Sequence, residues 1–392
     1  MRSIFLDFCS TTPIAASVRE SMLPFLGEFY GHPSSAHWFG RAAQEAIEDS
    51  RSNVACLLGC HPSEIIYTSG GTEGVNLALI GVARALKRAL PNEKLHLITT
   101  VLEHMSVRKC VEHLEQSGWD VTVIGCDVNG VIRLDEFKAA IRPNTVLASV
   151  IHASHQFGTI QPLTEVSELC VADDIILHTD AAQSVGKIST DIESLGVDLL
   201  SFSGHKLYAP KGIGGLFVRM GVAVEPILFG EGNEGGLRPG TENVPHIVGL
   251  GQAAKLLMTG AESSADRLAQ ILDRFHHQLE SLLGVPLKVY GERATRLPHV
   301  LCFELPGVTA QALQQRLPEI CFGPTSVVVD SPSAKRWNSF AAMGFGEQQA
   351  ARALRVSIGW TTSEEELQQA LQLIAAAHDG LADEPSVRRA AD

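Results

Sequence analysis

Through the first two-thirds of the chain, short apolar runs closed by turn residues alternate with longer stretches whose apolar positions recur every three to four residues. The short runs suit strands covered on both faces, and the longer ones suit amphipathic helices laid against them. Strands are predicted at residues 4–8, 64–68, 95–100, 121–124, 145–151, 174–180 and 199–202, with helices at 41–58, 75–90 and 134–141. The first of these helices places Ile47, Val54, Leu57 and Leu58 at near-helical spacing and stops at Gly59. Such alternation predicts right-handed strand–helix–strand units, hence an α/β fold with a mainly parallel sheet. After residue 260 the pattern changes. A helix at 261–283 carries Leu268, Ile271, Leu272, Phe275, Leu279 and Leu282 on one face, and short strands follow at 300–303, 320–322 and 355–358. With two helices these make a smaller α+β unit, and Ser363-x-x-Glu366 is a capping box opening the last helix.

Residues 198–215 read DLLSFSGHKLYAPKGIGG. An apolar strand breaks at Ser203-Gly204, presents His205 and Lys206, and then meets Pro210, Gly212, Gly214 and Gly215, which end regular structure. A fixed, partly desolvated amine at a strand end suits Schiff-base chemistry, although an arbitrary lysine is more often a snorkelling surface residue. Upstream, residues 174–180 read DIILHTD, an apolar run ending in a carboxylate. Pyridoxal phosphate needs a lysine for its aldehyde and an anion at its pyridine nitrogen, which keeps the ring protonated and able to accept electrons. Lys206 and Asp180 fit those two tasks.

The predicted strand at 64–68 runs into Ser69-Gly70-Gly71-Thr72-Glu73. Glycines at a strand-to-helix turn leave backbone N–H groups free at a helix N-terminus, which makes Gly71 and Thr72 the candidate phosphate cradle. Thr72, His104, Asp180 and Lys206 all fall at or after predicted strand ends, where ligands of such sheets sit. Gln183 is placed to reach the cofactor's phenolic oxygen, and Ser203 and His205 to add phosphate contacts.

Two segments, HTDAAQSVGK and DLLSFSGHKLYAPKGIGGLFVR, resemble the class V aminotransferase family almost residue for residue. Within it the similarity is greatest to cysteine desulfurases of the nitrogenase and iron–sulfur assembly type, and it extends over residues 5–366. The resemblance implies a fold-type I pyridoxal phosphate enzyme with a mainly parallel seven-stranded sheet. It implies a large cofactor-binding domain over 16–257, a small domain from 1–15 plus 258–379, and a disordered tail over 380–392. It places the imidazole of His104 flat against the cofactor ring, where it stacks and acts as acid and base. In the loop EGNEGGLRPGTEN, Thr241 would reach the phosphate of a partner subunit, which makes the working unit a homodimer; residues 232–236 also read as a flexible surface loop. Arg355 matches the arginine that holds the substrate α-carboxylate, a task suited to a planar two-pronged donor. The implied reaction releases sulfur from L-cysteine, with alanine as co-product, for transfer to an acceptor protein.

Two positions depart from the pattern. His155 stands where the family usually carries asparagine in contact with cofactor and substrate, so either substrate geometry differs or the ring donates the same hydrogen bond. More importantly, the family places a persulfide-forming cysteine on a mobile loop, and aligning Gly323 puts Ser326 at that position. A serine hydroxyl cannot form a persulfide. Cys321 is the one cysteine near enough to substitute, and a buried core thiol is its competing reading. Three consecutive valines suit an ordered β segment over 323–332. A carbon–sulfur lyase or an aminotransferase, using Lys206, His104, Asp180 and Arg355 without a persulfide, is therefore the alternative. A sulfur-transfer scaffold with little activity is a third reading.

Composition narrows the setting. In 392 residues, 45% are hydrophobic and 19% charged, an ordinary globular balance, and the net charge of −13 argues against a nucleic-acid surface. No apolar run reaches membrane-spanning length, and residues 1–10 lack a signal-peptide core. Eight scattered cysteines without a CxxC pair predict reduced thiols, a cytoplasmic setting and no metal site.

Overall fold

The computed structural model describes residues 3–260, 265–323 and 336–382. The strands are β1 (Ile4–Leu6), β2 (Ile65–Thr68), β3 (His96–Thr100), β4 (Asp120–Ile124), β5 (Thr145–Ser149), β6 (Ile176–Asp180), β7 (Leu199–Ser203), β8 (Gly214–Val218), β9 (Lys288–Val289), β10 (Val300–Glu304), β11 (Ile320–Phe322) and β12 (Ala353–Ser357). Seven of them form one sheet in the order β2-β8-β7-β6-β5-β3-β4. Only β8 runs against its neighbours, so the sheet is mainly parallel, as the alternation predicted. Parallel strands must be joined by crossovers, which is why helices intervene and both faces of the sheet are covered.

Residues 214–218, read from their glycines as the end of regular structure, form β8 instead. A Cβ on Gly215 would lie 2.5 Å from the ring of Phe202, and one on Gly214 2.8 Å from Gly70. The glycines are there because the neighbouring backbone and ring leave no room, and a strand interior tolerates glycine under that condition.

The first helices are α1 (Ala16–Gly27), α2 (Trp38–Leu58), α3 (Gly71–Ala89) and α4 (Met105–Gln116). α2 starts three residues before the apolar pattern does, because the His37 side chain accepts a hydrogen bond from Gly40 N–H and caps it. It ends at Gly59, which takes the left-handed conformation that glycine adopts without penalty. α3 starts at Gly71, four residues earlier than expected, since its first turn lies on the loop after β2 and shows no apolar periodicity.

A separate apolar core joins Ile4 and Leu6 to side chains of residues 268–377. In it β1 pairs with β11 in parallel, and β12-β10-β9 form an antiparallel sheet. The helix predicted at 261–283 is described as Ala265–Leu283, with Leu268, Ile271, Leu272, Phe275 and Leu279 buried. The capping box holds: Ser363 N–H donates to Glu366 Oε2 at 3.0 Å, and Glu366 N–H to Ser363 Oγ at 3.1 Å. The helix it opens continues to Ala382, past the expected start of the disordered tail at 380; residues 383–392 lie outside the described ones, as does the 324–332 part of the predicted β segment.

Candidate active site

Lys206 ends a short helical turn, Gly204–Lys206, that follows β7 directly. Three sets of bonds fix that turn. Gly204 N–H donates to the Ile213 carbonyl, Thr12 Oγ1 donates to the His205 carbonyl, and Tyr208 N–H donates to Thr12 Oγ1 at 2.8 Å. Tyr208 sits at φ 60°, a costly conformation for a non-glycine residue. Its ring stacks on Trp360 at 3.4 Å and its hydroxyl accepts from Trp360 N–H, which offsets that cost. The Lys187 ammonium donates to the Lys206 carbonyl at 3.0 Å. Burial pushes the Lys206 amine below its ordinary range, against the opposing pull of Asp180.

Asp180 is the last residue of β6 and buried. Ala182 N–H donates to its Oδ1 at 3.0 Å, so Oδ2 is the oxygen available to a ring nitrogen. His104 caps α4: its Nδ1 accepts from Ser106 N–H at 3.2 Å, which leaves the proton of the neutral ring on Nε2. Burial lowers its pKa, with Asp180 opposing and Lys206 and Arg108 adding. The His155 ring stands edge-on to it, with centroids 5.5 Å apart. His155 Nδ1 has no partner, and burial, reinforced by His104, Arg108, Arg355 and Lys206, keeps this ring neutral as well.

Glu103, beside His104, was assigned nothing from sequence. It is fully buried; Thr100 Oγ1 and Ile151 N–H donate to its Oε1 at 2.8 and 2.7 Å, and Oε2 has no partner. Burial, aided by nearby Asp180, raises its pKa to about 8, so it is a neutral acid tying the ends of β3 and β5 together. Its adjacency to His104 was the signal available in the sequence.

The turn expected to cradle a phosphate lies where β2 meets α3. Gly70 adopts φ 153°, and a Cβ on Gly71 would lie 3.5 Å from the Ser203 side chain, so Ser203 borders the turn. Thr72 is exposed at the helix start. His205 lies within the short turn that follows β7. Its Nδ1 meets Thr11 Oγ1 at 3.2 Å, and burial together with Lys206, Lys211 and Lys187 lowers its pKa to about 4. The Gln183 amide donates to the Cys9 carbonyl at 3.0 Å, leaving the buried Oε1 without a partner.

The loop over 231–243 is anchored rather than free. Glu234 is buried, takes a two-pronged bond from Arg51 at 2.8 and 2.9 Å and accepts from Tyr67 N–H. Arg238 pairs with Glu73 at 2.9 Å, and Glu73 in turn accepts from Ser69 N–H beside the cradle. Thr241 at the loop's end is exposed, 3.3 Å from His32 Nε2, outside the cluster around Lys206.

Arg355 gathers distant segments. Its Nη2 donates to Asp7 Oδ1 at 2.7 Å and Ser10 Oγ at 3.3 Å, Nη1 donates to the His155 carbonyl, and the buried Nε has no partner. Gly323 lies flush against the guanidinium, since a Cβ there would come within 2.4 Å of Nε. Cys321 lies on β11 opposite Phe5 and is half-buried; Ser326 lies outside the described residues.

A pyridoxal phosphate fits this constellation on the structure's own terms. The unpartnered Gln183 Oε1, His155 Nδ1 and Arg355 Nε are buried polar atoms of the kind that a bound polar molecule satisfies, and the first turn of α3, from Gly71, offers N–H groups to a phosphate.

The sequence matches the aminotransferase class-V family over residues 4–370. It is 37% identical over 374 residues to a cysteine desulfurase IscS of Dictyoglomus turgidum, covering 95% of this chain and 94% of that one. Among solved structures, a NifS-like protein superposes with a TM-score of 0.88 at 32% identity, covering 97% of this chain and 100% of the other. SspA in complex with cysteine superposes with a TM-score of 0.77, also at 32% identity, over 92% of this chain and all of that one. With strand ends, lysine and carboxylate arranged as described, this chain belongs to the class V aminotransferase family and is a pyridoxal phosphate-dependent enzyme.

Proposed function

We propose that this enzyme is a cysteine desulfurase that passes sulfur from L-cysteine to an acceptor protein, with alanine as co-product. Pyridoxal phosphate supplies the electron sink that lets bonds at the substrate's α- and β-carbons break. In this reading Lys206 holds the cofactor, Asp180 balances its ring nitrogen, and Gly71, Thr72 and Ser203 hold its phosphate. Gln183 and His205 complete the wall around it, and Thr241 reaches the phosphate of a second copy. His104, neutral with its proton on Nε2, moves protons at the substrate's amino group. Arg355 and His155 receive the substrate, the guanidinium taking its carboxylate.

The observation that carries the sulfur step is the placement of Cys321. Side chains two apart on an extended segment share a face, which supports a Cys321 thiol turned to the same side as Gly323, just past β11, where Gly323 packs on the Arg355 guanidinium. That separation is about 6–7 Å along the strand, one residue pair from the carboxylate anchor. A thiol there is positioned to take sulfur from a bound cysteine. The reading is supported by the relatives named cysteine desulfurase and by a structural neighbour solved with cysteine.

Purified holoenzyme incubated with L-cysteine should yield alanine and a persulfide on Cys321, and Cys321→Ser should end persulfide formation while leaving the cofactor's absorbance unchanged. Pyruvate and ammonia in place of alanine would assign the carbon–sulfur lyase reaction. One observation favours that second reading: residues 324–335 contain no cysteine, so a thiol on the usual loop is absent from the sequence.

The homodimer is supported by apolar side chains left exposed near one another in sequence, Leu23, Leu26, Tyr30 and Trp38, and by the exposed Thr241. The division into domains of 16–257 and of 1–15 plus 258–379 is supported by the separate core of the latter. All eight cysteines are free, in keeping with a cytoplasmic setting, and among the described residues no helix is long and apolar enough to cross a membrane.

A further inference from the structure

Lys187 and His299 share with Lys206 a pocket of about 20 Å³. Its walls are largely apolar, with Phe8, Leu207, Leu257, Leu268 and Ile358 among them, and Lys206 is the one residue it has in common with the cofactor's proposed ligands. A single water needs roughly 10–15 Å³, so the space suits a ligand about the size of one heavy atom.

The lining is left with two deficits. The Lys187 ammonium makes its one described hydrogen bond to the Lys206 carbonyl, and the charged or titratable groups that act on it are Lys206, Cys9 and His299, with no carboxylate among them. His299 is 2% exposed, neither ring nitrogen has a partner, and the charges facing it are Lys187 and Arg355. Buried polar groups in this state are costly unless something bound satisfies them. A water would serve the ring but leave the cations unbalanced. An anion serves both, and apolar walls favour one that gives up its hydration easily.

We propose that this pocket binds one small, weakly hydrated monovalent anion, a halide or hydrosulfide, between the Lys187 ammonium and the His299 ring N–H. Burial, with Cys9 opposing and Lys206 adding, presses Lys187 down to about 7, and the anion opposes that by stabilising the charged amine. Because Lys187 also holds the Lys206 carbonyl, occupancy steadies the turn that carries the cofactor's lysine.

Anomalous diffraction from holoenzyme crystals soaked in sodium bromide tests the site. One bromide is expected in contact with Lys187 and His299, kept in Lys187→Arg and lost in Lys187→Met. In solution, exchanging gluconate for bromide at constant ionic strength should raise the melting temperature by about 1–2 °C near ten times the Kd. The rise should persist in Lys187→Arg and vanish in Lys187→Met and in His299→Leu, two variants that fail independently if one does not fold. Displacement of bromide by a lower concentration of hydrosulfide would assign the pocket to sulfur released in the proposed reaction. Bromide that resists hydrosulfide would assign it to halide from the medium. A water in place of bromide, bromide bound only elsewhere, or a melting response that survives Lys187→Met overturns the proposal. Neither readout depends on which amino acid the enzyme cleaves, so the site stands or falls separately from the desulfurase reading.

Discussion

His104, Asp180 and Lys206 each follow a strand of one parallel sheet, whereas Arg355 gathers Asp7, His155 and Gly323 from three separate parts of the chain. At the first end, position comes from the sheet: strands that run together end together, and their last residues meet. At the second, it comes from tertiary contacts that hold only while the two cores stay packed. The end proposed to hold the cofactor therefore takes its geometry from the sheet itself. The end proposed to meet substrate depends on an ion pair between Asp7 and Arg355.

Four substitutions probe this contrast. Lys206→Ala should remove the covalently held cofactor and all turnover; a variant that still forms a borohydride-reducible bond to it would place the attachment on another lysine, with Lys187 the nearest candidate. His104→Ala should lower kcat by about 10²–10⁴-fold with the cofactor absorbance retained, and an unchanged kcat would reduce the ring to a helix cap. Arg355→Ala leaves the largely buried Asp7 carboxylate uncompensated. It should cost about 3–5 kcal/mol in urea unfolding as well as raising KM, so stability and substrate binding fall together at this end only.

The smallest effect is a pH effect at Glu103. Its folded pKa of about 8 lies above the ordinary carboxyl value, so the native state binds the extra proton. Stability is then full below the unfolded pKa and declines as pH rises through the folded one. Glu103→Gln keeps an acceptor for Thr100 and Ile151 but cannot ionise. It should melt with wild type near pH 5 and above it near pH 9, and parallel melting curves at all pH values would show that Glu103 ionises normally.

How much of this was legible differs between the two ends. The strands leading to Asp180 and Lys206 were readable because a doubly covered strand must be continuously apolar, and its end shows as a polar break. The starts of α2 and α3 were not, since His37 and Gly70-Gly71 begin helices by capping and by backbone freedom rather than by apolar spacing. The loop over 231–243 read as partly flexible because its glycines are local signals, while its anchor, Glu234 on Arg51, is a contact across the sequence. The bonds of Gln183 to Cys9 and of His205 to Thr11 were not readable, because they are made to an N-terminal segment far away in sequence.

Taken alone, the sequence determined the α/β alternation, the sheet's direction and the lysine–aspartate pair, because each is written within a single stretch as apolar spacing interrupted by a polar residue. Tertiary structure alone decided which groups are charged and whom they face: a neutral Glu103, two neutral histidines in a T-shaped pair, Lys187 behind Lys206, and Asp7 on Arg355. Desolvation and pairing are set by what surrounds an atom in space, and at this site nearly all of those surroundings come from elsewhere in the chain.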